Sequence, residues 1–263
     1  MNRSHGFQAL FMMAKIISKG SEAKNMHFEI RRDIPAYLSE LKIWLNEVRD
    51  IELEAMDDFF TARVDEYEDH MACWSEAYER MAALIPEECR RLLDLGCGTG
   101  LELDKIFARF PDMCVTGIDL CASMLEVLKK KHADKLLTLR CEDYFEAELG
   151  ISVYDAAISF ETLHHFRPAK KGALFRNIYE SLKLGGVYLE CDYIACCEEE
   201  ETLLLDECNR KRRLAGVPED QFVHFDTPLT LKHETALLEN AGFKEVAAID
   251  CINGATLIKA VRR

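Results

Sequence analysis

Residues 92–100, LLDLGCGTG, constrain the fold of this chain more than any other stretch. A short apolar run containing Asp94 is followed by three glycines at alternate positions, and an amphipathic segment begins at Leu101. This pattern predicts a buried parallel strand, a tight turn and a helix. Glycines at such a turn allow positive φ and let a ligand approach bare main chain beside the positive end of a helix. The stretch therefore predicts a cofactor-binding turn.

The spacing of these glycines distinguishes between cofactors. Dinucleotide-binding folds use Gly-x-Gly-x-x-Gly, in which the third glycine comes one position later than in this chain. Asp94 would repel a pyrophosphate, but it suits a ligand that carries an amine. The next predicted strand, residues 113–119, ends in Asp119, about where a doubly wound fold places its ribose-binding acid. Both acids therefore favour a cofactor with a sugar and an amine.

Taken together, the first acid, the three glycines and the acid that ends the next strand resemble the class I, Rossmann-like S-adenosylmethionine-dependent methyltransferases. The resemblance implies S-adenosylmethionine as the cofactor. In that family the glycine turn approaches the methionine and sugar moieties, and the acid that ends the second strand, here Asp119, binds both ribose hydroxyls. The cofactor contacts implied at these two places are Asp94, Gly96, Cys97, Gly98, Gly100, Asp119 and Leu120.

The resemblance implies further cofactor contacts at three other places. Glu142, Asp143 and Tyr144 follow the third predicted strand, where family members place an acid for the adenine amino group, often beside a bulky residue. Tyr67 resembles part of an aromatic segment that folds over the cofactor in many members, and its hydroxyl would bind the carboxylate end. Ser159 ends the fourth predicted strand, at the sheet edge where ligands bind. The alternatives are a solvated loop acid at Asp143 and a plain amphipathic helix around Tyr67.

His164 and His165 follow the fourth predicted strand and resemble a Leu-His-His run in the family's fourth motif, which borders the transferred methyl group. A neutral imidazole can remove a proton from an acceptor, so either histidine is a candidate catalytic base or an acceptor-orienting group. The alternative is that one of them caps the next helix or packs against the cofactor. The sequence shows no partner set at metal-ligand spacing, so no metal is expected.

Residues 196–230 are predicted to form an insertion that shapes the acceptor pocket. His224 and Asp226 are candidate acceptor contacts within it. The basic run at residues 210–213 could bind a carboxylate or phosphate of the substrate. A solvated helix face is the commoner arrangement for such a run.

The chain from residue 91 onward alternates predicted strands and helices, as a doubly wound sheet requires. The expected fold is α/β, with a mostly parallel seven-stranded sheet and an antiparallel terminal hairpin at residues 244–261. Residues 1–56 are predicted to be an N-terminal helical extension, with one helix over 34–56 that serves as a packing, dimer or lid element. Residues 57–263 are predicted to be the methyltransferase domain.

The composition indicates which binding partners and which cellular location to expect. With 47 acidic and 33 basic residues the formal net charge is −14, which disfavours nucleic acid and anionic membranes and favours a small-molecule acceptor. The eleven cysteines lack the regular spacing of a disulfide framework, so a cytoplasmic location is expected. No apolar stretch is long enough to span a membrane, and the signal-like start, residues 1–20, is interrupted by polar residues. A homodimer is possible through the N-terminal helices.

The predicted function is S-adenosylmethionine-dependent methyl transfer to a small-molecule acceptor. Methyl transfer from a sulfonium is an in-line displacement that needs alignment and a dry site, so a catalytic acid–base pair is not required. One alternative is a carboxy-S-adenosylmethionine synthase, which needs an arginine for its extra carboxylate, a role that Arg210 or Arg213 could fill. Another is a non-catalytic module that binds S-adenosylmethionine. The sequence does not identify the acceptor atom.

Overall fold

The computed structural model describes residues 33–263. The signal-like stretch at residues 1–20 lies outside the described residues. The strands are β1 (Arg91–Leu95), β2 (Cys114–Asp119), β3 (Leu137–Cys141), β4 (Tyr154–Phe160), β5 (Leu182–Tyr193), β6 (Lys244–Ile252) and β7 (Ala255–Val261). The helices are α1 (Ile34–Glu47), α2 (Met56–Thr61), α3 (Val64–Met71), α4 (Ser75–Leu84), α5 (Leu101–Arg109), α6 (Ala122–Lys131), α7 (Pro168–Ser181), α8 (Glu198–Ala215) and α9 (Leu231–Ala241), with a 3-10 turn at Ala72–Trp74.

The seven strands form one sheet in the order β3-β2-β1-β4-β5-β7-β6. Strands β1 to β5 pair in parallel, whereas β7 runs antiparallel to both β5 and β6. The predicted doubly wound sheet with an antiparallel terminal hairpin is therefore confirmed. The strand order reverses between β1 and β4, and ligands bind outside the carboxyl ends of the strands at such a switch point.

Strand β1 is buried on both faces, as helices on both sides of a parallel sheet require. Leu92, Leu93 and Leu95 have no exposed surface. Successive side chains of a strand point to opposite faces. Leu92 accordingly packs in the same cluster as Ile106 of α5, and Leu93 packs in the opposite cluster with Phe175 of α7. The sheet thus divides the core into two helix-covered layers.

Helix α1 packs against the insertion helix α8. Asp33 caps α1 by accepting a hydrogen bond from the Ala36 amide at 3.0 Å, and Pro35 occupies the first turn. Tyr37 is buried in the same cluster as Leu204, and its hydroxyl donates a hydrogen bond to Glu200. The apolar face of α1 is therefore covered by this chain itself.

The predicted helix over residues 34–56 is wrong in its second half, because α1 ends at Glu47. The Lys211 ammonium group lies beyond that end and donates hydrogen bonds to the main-chain oxygens of Val48, Arg49 and Ile51, at 2.6, 3.1 and 2.7 Å. A lysine near a helix C-terminus stabilises its last carbonyls in this way. Lys211, which lies far from α1 in the sequence, thus binds the main-chain oxygens that follow the helix. The domain division at residue 56 stays a prediction.

Residues 57–85 are divided among α2, α3, the 3-10 turn and α4. Helix α7 ends at Ser181. Leu182 is extended and pairs with Tyr154 of β4, so β5 begins there, and Gly185 and Gly186 lie within the strand. Among residues 33–263, no helix is both long and apolar enough to cross a bilayer.

Candidate functional site

A cleft lies at the carboxyl ends of β1, β2 and β4, at the point where the strand order reverses. About 680 Å³ of space, including space open to solvent, lies between its walls. Its lining residues are Met56, Asp57, Phe60, Tyr67, Gly96, Gly98, Asp119, Leu120, Cys121, Met124, Glu142, Asp143, Tyr144, Phe160, Glu161, Thr162, His165, Phe166 and Phe222.

The glycine turn after β1 presents bare main chain to the cleft. Gly96 and Gly98 both line it and have φ values of +71° and +45°, which favour glycine. A Cβ atom on Gly98 would lie 3.6 Å from the Tyr67 hydroxyl, in the space between the turn and α3. This space belongs to the cleft, so a side chain there would narrow it.

Asp119, which ends β2, holds the glycine turn in place. Its Oδ2 accepts a hydrogen bond from the Gly98 amide and its Oδ1 accepts one from the Cys121 amide, both at 2.8 Å. Burial raises the pKa of Asp119, and these main-chain hydrogen bonds oppose the rise. An ionised carboxylate has about four acceptor positions. The remaining positions are available to a ligand in the cleft, such as a sugar diol.

Helix α3 covers the cleft beside the turn and carries Tyr67. Burial raises the pKa of the Tyr67 hydroxyl, which therefore stays protonated and can donate a hydrogen bond. The next residue, Glu68, is bound at 2.9 Å by Lys131 at the end of α6, and Lys131 also binds Asp104 of α5 at 3.1 Å. Lys131 thus links α3 to α5 and α6.

The loop after β3 supplies the predicted adenine contacts. Asp143 Oδ1 accepts a hydrogen bond from the Phe145 amide at 2.8 Å, which leaves its other oxygen unengaged by that bond. Tyr144 is buried, and its hydroxyl lies 3.2 Å from the Thr162 hydroxyl. Glu142, also in the lining, forms an ion pair with Arg140. The sequence placed this loop correctly at the cleft.

Four predicted cofactor residues do not line the cleft. Asp94 is 1% exposed and lies beside Glu102, and burial together with that second carboxyl raises the pKa of Asp94 well above its usual value. Cys97 packs on Gly117, where an added Cβ would lie 2.8 Å from its sulfur. Ser159 is buried, within 2.7 Å of the Tyr188 hydroxyl.

The fourth is Gly100, which caps α5 with φ +73°. A Cβ there would lie 2.3 Å from Leu128 Cδ1. All four residues are buried away from the cleft lining. The interpretation of Asp94 as the contact for a cofactor amine stays a prediction.

The two adjacent histidines occupy different environments. His164 is 2% exposed and does not line the cleft, because its Nδ1 is hydrogen-bonded to the buried Asp192 carboxylate. Burial opposes a charge on His164, but Asp192 and Asp226 outweigh burial and hold the pKa of His164 well above its usual value. His164 is enclosed by carboxylates and does not reach the cleft, so of the two histidines it is His165 that is placed to meet an acceptor.

His165 does line the cleft, although its side chain is only 4% exposed. Burial and the neighbouring charge of His164 lower the pKa of His165, which therefore stays neutral near pH 7. Its Nδ1 lies 3.3 Å from Asp226 Oδ1. Its ring is 4.8 Å, centroid to centroid, from that of His224. His224 and Asp226 thus stand behind His165 rather than in the lining.

Glu161 is a candidate functional residue that the sequence analysis did not select. It follows β4 directly, lines the cleft, and has φ +46°, a conformation that non-glycine residues rarely adopt. Burial raises the pKa of Glu161 to about 8, and the charge on His164 opposes the rise. Its position just beyond a strand's carboxyl end was the available signal. A strained, buried carboxyl at such a place can hold or take a proton.

The basic run at residues 210–213 does not reach the cleft. Arg210 binds Glu207 and the main-chain oxygen of Arg49, and Arg212 binds the main-chain oxygens of Pro218 and Gln221. These arginines therefore bind groups of this chain outside the cleft, and the alternative in which the basic run binds an acidic substrate gains no support from their positions.

Residues 92–186 match the family model described as a methyltransferase domain. This segment is therefore a methyltransferase domain of the class I, S-adenosylmethionine-dependent type. The match covers the methyltransferase core from β1 into β5, which includes the glycine turn, Asp119 and Glu161. The structure thus places the sequence-derived cofactor turn within the part of the chain that carries the family signature.

Curated relatives of this methyltransferase include enzymes of different activities. Malonyl-[acyl-carrier protein] O-methyltransferase of Bacillus anthracis is 33% identical over 99 residues, which cover 38% of this chain and 36% of that protein. Carboxy-S-adenosyl-L-methionine synthase of Campylobacter fetus is 25% identical over 167 residues, which cover 60% of this chain and 71% of that protein. The chain thus spans about a third of the length of the first of these relatives.

Solved structures show the same fold. A putative O-methyltransferase of Nostoc punctiforme superposes with a TM-score of 0.61 at 21% identity, covering 86% of this chain and 67% of that one. Human N-acetylserotonin methyltransferase, solved in complex with S-adenosylmethionine, superposes with a TM-score of 0.54 at 18% identity, covering 98% of this chain and 68% of that one.

Proposed function

We propose that this methyltransferase transfers the methyl group of S-adenosylmethionine to a neutral or cationic small-molecule acceptor. One observation carries the proposal. Asp119 and the bare main chain of Gly98 border the same cleft as Glu161 and His165. Asp119, the proposed ribose-binding acid, therefore faces the same cleft as Glu161 and His165, the proposed proton-transfer and orienting groups.

The residues of the cleft fit the cofactor. Asp119 retains acceptor positions for a ribose diol, and Gly98 leaves room that a Cβ would fill. Tyr67, beside Gly98, is placed to donate to the carboxylate end of the methionine. Asp143 and Tyr144 offer an acceptor and an apolar surface for adenine. When bound there, S-adenosylmethionine supplies a methyl group that its sulfonium charge has already activated.

The chain's own contribution to the reaction is alignment, exclusion of water and proton transfer. Helix α3 lies beside the glycine turn, held there by the Lys131–Glu68 ion pair, and would help to shield a bound cofactor from water. Glu161 lies at the carboxyl end of β4, at the part of the cleft assigned to the methyl group. Its carboxyl group is ionised above a pKa of about 8 and can then take the acceptor's proton, and His165 can hydrogen-bond the acceptor and orient it.

The charges around the cleft support an acceptor without negative charge. Carboxyl groups contribute to the lining at five positions, and among residues 33–263 no arginine or lysine contributes to it. The five are Asp57, Asp119, Glu142, Asp143 and Glu161. One of the five, Glu161, has a pKa raised to about 8 and so adds little negative charge near pH 7. An acidic acceptor, such as the malonyl group named for one relative, would be repelled here. The lining also includes the apolar rings of Phe60, Phe166 and Phe222, which could contact an uncharged acceptor.

The same charges weigh against a carboxy-S-adenosylmethionine synthase. The relative of that name covers a larger share of this chain than the malonyl relative does. A carboxylated cofactor, however, needs a cation, and the predicted candidate Arg210 is held by Glu207 outside the cleft. The methyltransferase proposal is therefore the better supported of the two.

The experiment has two parts. Isothermal titration calorimetry with S-adenosylhomocysteine and S-adenosylmethionine should show one site, and mass spectrometry of the copurified ligand should find no carboxylated cofactor. Release of S-adenosylhomocysteine is then measured with a panel of neutral, amine and carboxylate acceptors. Turnover with neutral or amine members supports the proposal. The absence of cofactor binding, or turnover confined to carboxylate acceptors, would refute it, and binding without turnover of any member would favour a non-catalytic module.

A further inference from the structure

Three side chains converge at and behind the part of the cleft wall that His165 forms. One ligand atom from each of His164, His165 and Asp226 lies within 4.8 Å of the other two. Asp226 Oδ1 is 3.3 Å from His165 Nδ1 and 3.5 Å from His164 Nε2. The sequence separates Asp226 from the histidines, so no ligand spacing is visible in it. Packing of the insertion against the β4 loop brings the third group into place.

These separations match those of ligands around a metal ion. Nitrogen and oxygen ligands bind zinc at about 2.0–2.2 Å, so two of them at tetrahedral angles lie about 3.3 Å apart. The two distances to Asp226 fall close to that value. Two histidines and one carboxylate also form a common donor set of catalytic zinc sites, in which a fourth position stays open.

The convergent atoms lack good partners within the protein. His165 Nδ1 and Asp226 Oδ1 are both buried, and no well-aligned hydrogen bond joins them despite their separation. Buried polar atoms normally have a hydrogen-bond partner. A lone pair from each atom directed at a shared ion would satisfy both.

His164 also has the outer support that metal-binding histidines usually have. Its Nδ1 is hydrogen-bonded to Asp192, which leaves Nε2 as the ligand atom. Asp192 in turn accepts hydrogen bonds from the Leu163 and Tyr193 amides, both at 2.9 Å. Such a carboxylate fixes the orientation of the ring and increases the basicity of its free nitrogen. Glu161, His164 and Asp192 form a second possible set of metal ligands. The hydrogen bond between His164 Nδ1 and Asp192 argues against that set, because it already uses the two atoms that would bind the ion.

We infer that His164, His165 and Asp226 bind a divalent first-row transition ion, with zinc as the best match, directly behind the part of the cleft wall that His165 forms. The ion would fix the orientation of the His165 ring in that wall. The inference does not rest on the proposed function, since metal binding requires no methyl transfer. The inference replaces the sequence-based expectation that no metal is bound.

The test measures metal binding directly. Chelator-treated full-length protein is titrated with ZnCl₂ by calorimetry and with CoCl₂ by visible absorption. Asp226→Asn and His165→Ala are compared with wild type, and Asp250→Asn, a carboxylate change in a surface ion pair with Arg80, is the matched control. Because the described residues include free cysteines, the cobalt spectrum is essential, since nitrogen and oxygen ligands produce no sulfur charge-transfer band.

The expected result is one equivalent of tightly bound metal with a sulfur-free cobalt spectrum. Asp226→Asn and His165→Ala should weaken metal binding at least 100-fold, whereas Asp250→Asn should bind like wild type. Thermal unfolding of the metal-free variants checks that they fold, and two independent variants guard against a folding defect in one. No stoichiometric binding, a thiolate spectrum, or equal binding by all variants would overturn the inference. Calorimetry with S-adenosylhomocysteine on the same samples tests the proposed function separately.

Discussion

The carboxylate of Asp119 accepts a hydrogen bond from the Gly98 amide at 2.8 Å. The acid that ends β2 therefore orders the turn that follows β1, while its remaining acceptor positions face the cleft. Asp119 thus has a structural role and a proposed ligand-binding role at once. A substitution at this position should change both the stability of the turn and the affinity for the cofactor.

Asp119→Asn should weaken binding of S-adenosylhomocysteine by about tenfold to 100-fold. The amide removes the negative charge, and a hydrogen bond to a charged group contributes about 1.5–3 kcal/mol. Calorimetry measures the affinity, and Asp250→Asn on the surface serves as the control. An affinity equal to that of wild type would show that Asp119 does not bind the ribose.

Gly98→Ala should reduce cofactor affinity at least tenfold, because its Cβ would enter the space between the turn and Tyr67. The matched control is Gly216→Ala at the end of α8. Gly216 also has positive φ, but an added Cβ meets no atom within 4 Å. Both variants should lose about 1–2 kcal/mol of stability from backbone strain. Equal cofactor affinity in the two variants would mean that the space beside Gly98 is not used.

Glu161→Gln should retain affinity for S-adenosylhomocysteine and lose turnover. General-base catalysis contributes about 10²–10⁴-fold in rate, and the amide cannot take a proton. The measurement is the rate of S-adenosylhomocysteine release with an acceptor identified from the panel, beside calorimetry on the same protein. A variant with wild-type turnover would exclude Glu161 as the proton acceptor.

Glu102→Gln should make stability less dependent on pH. Burial raises the pKa of Glu102 to about 7, above its ordinary value of 4.5. The folded state therefore holds a proton that the unfolded state releases, so wild-type stability is lost as pH rises from about 4.5 through 7. The melting temperature across this window should fall less in the variant. Glu239→Gln, an exposed change on α9, should follow the wild-type profile.

Lys171→Met should lower the free energy of unfolding by about 3–5 kcal/mol, the usual result of removing one partner from a buried ion pair. Lys171 is 1% exposed, forms an ion pair with Glu234, and lies 3.8 Å from Glu190, and both glutamates are fully buried. Urea unfolding measures the change. The control is Lys232→Met, whose exposed ion pair with Glu198 should contribute less than about 1 kcal/mol. Equal losses in the two variants would contradict this account.

Local patterns in the sequence were sufficient for much of the fold. The alternation of apolar strands and amphipathic helices after residue 91 predicted the sheet, since each element depends on residues close together in the chain. Asn253 and Gly254 at the tip of the final hairpin both have positive φ, as a two-residue hairpin turn requires. Element ends were less predictable. The carbonyls that follow α1, for example, are bound by Lys211, which lies in a different part of the sequence.

For the site, the sequence by itself determined the glycine turn, Asp119 and the loop at Asp143, because each follows directly from a strand whose carboxyl end must face the ligand edge. Only the tertiary structure decided that His165 faces the cleft while His164 is enclosed by carboxylates. It also brought Asp226 to both histidines. Side-chain direction at a strand end and contacts between distant segments are set by packing of the whole chain, which no local period encodes.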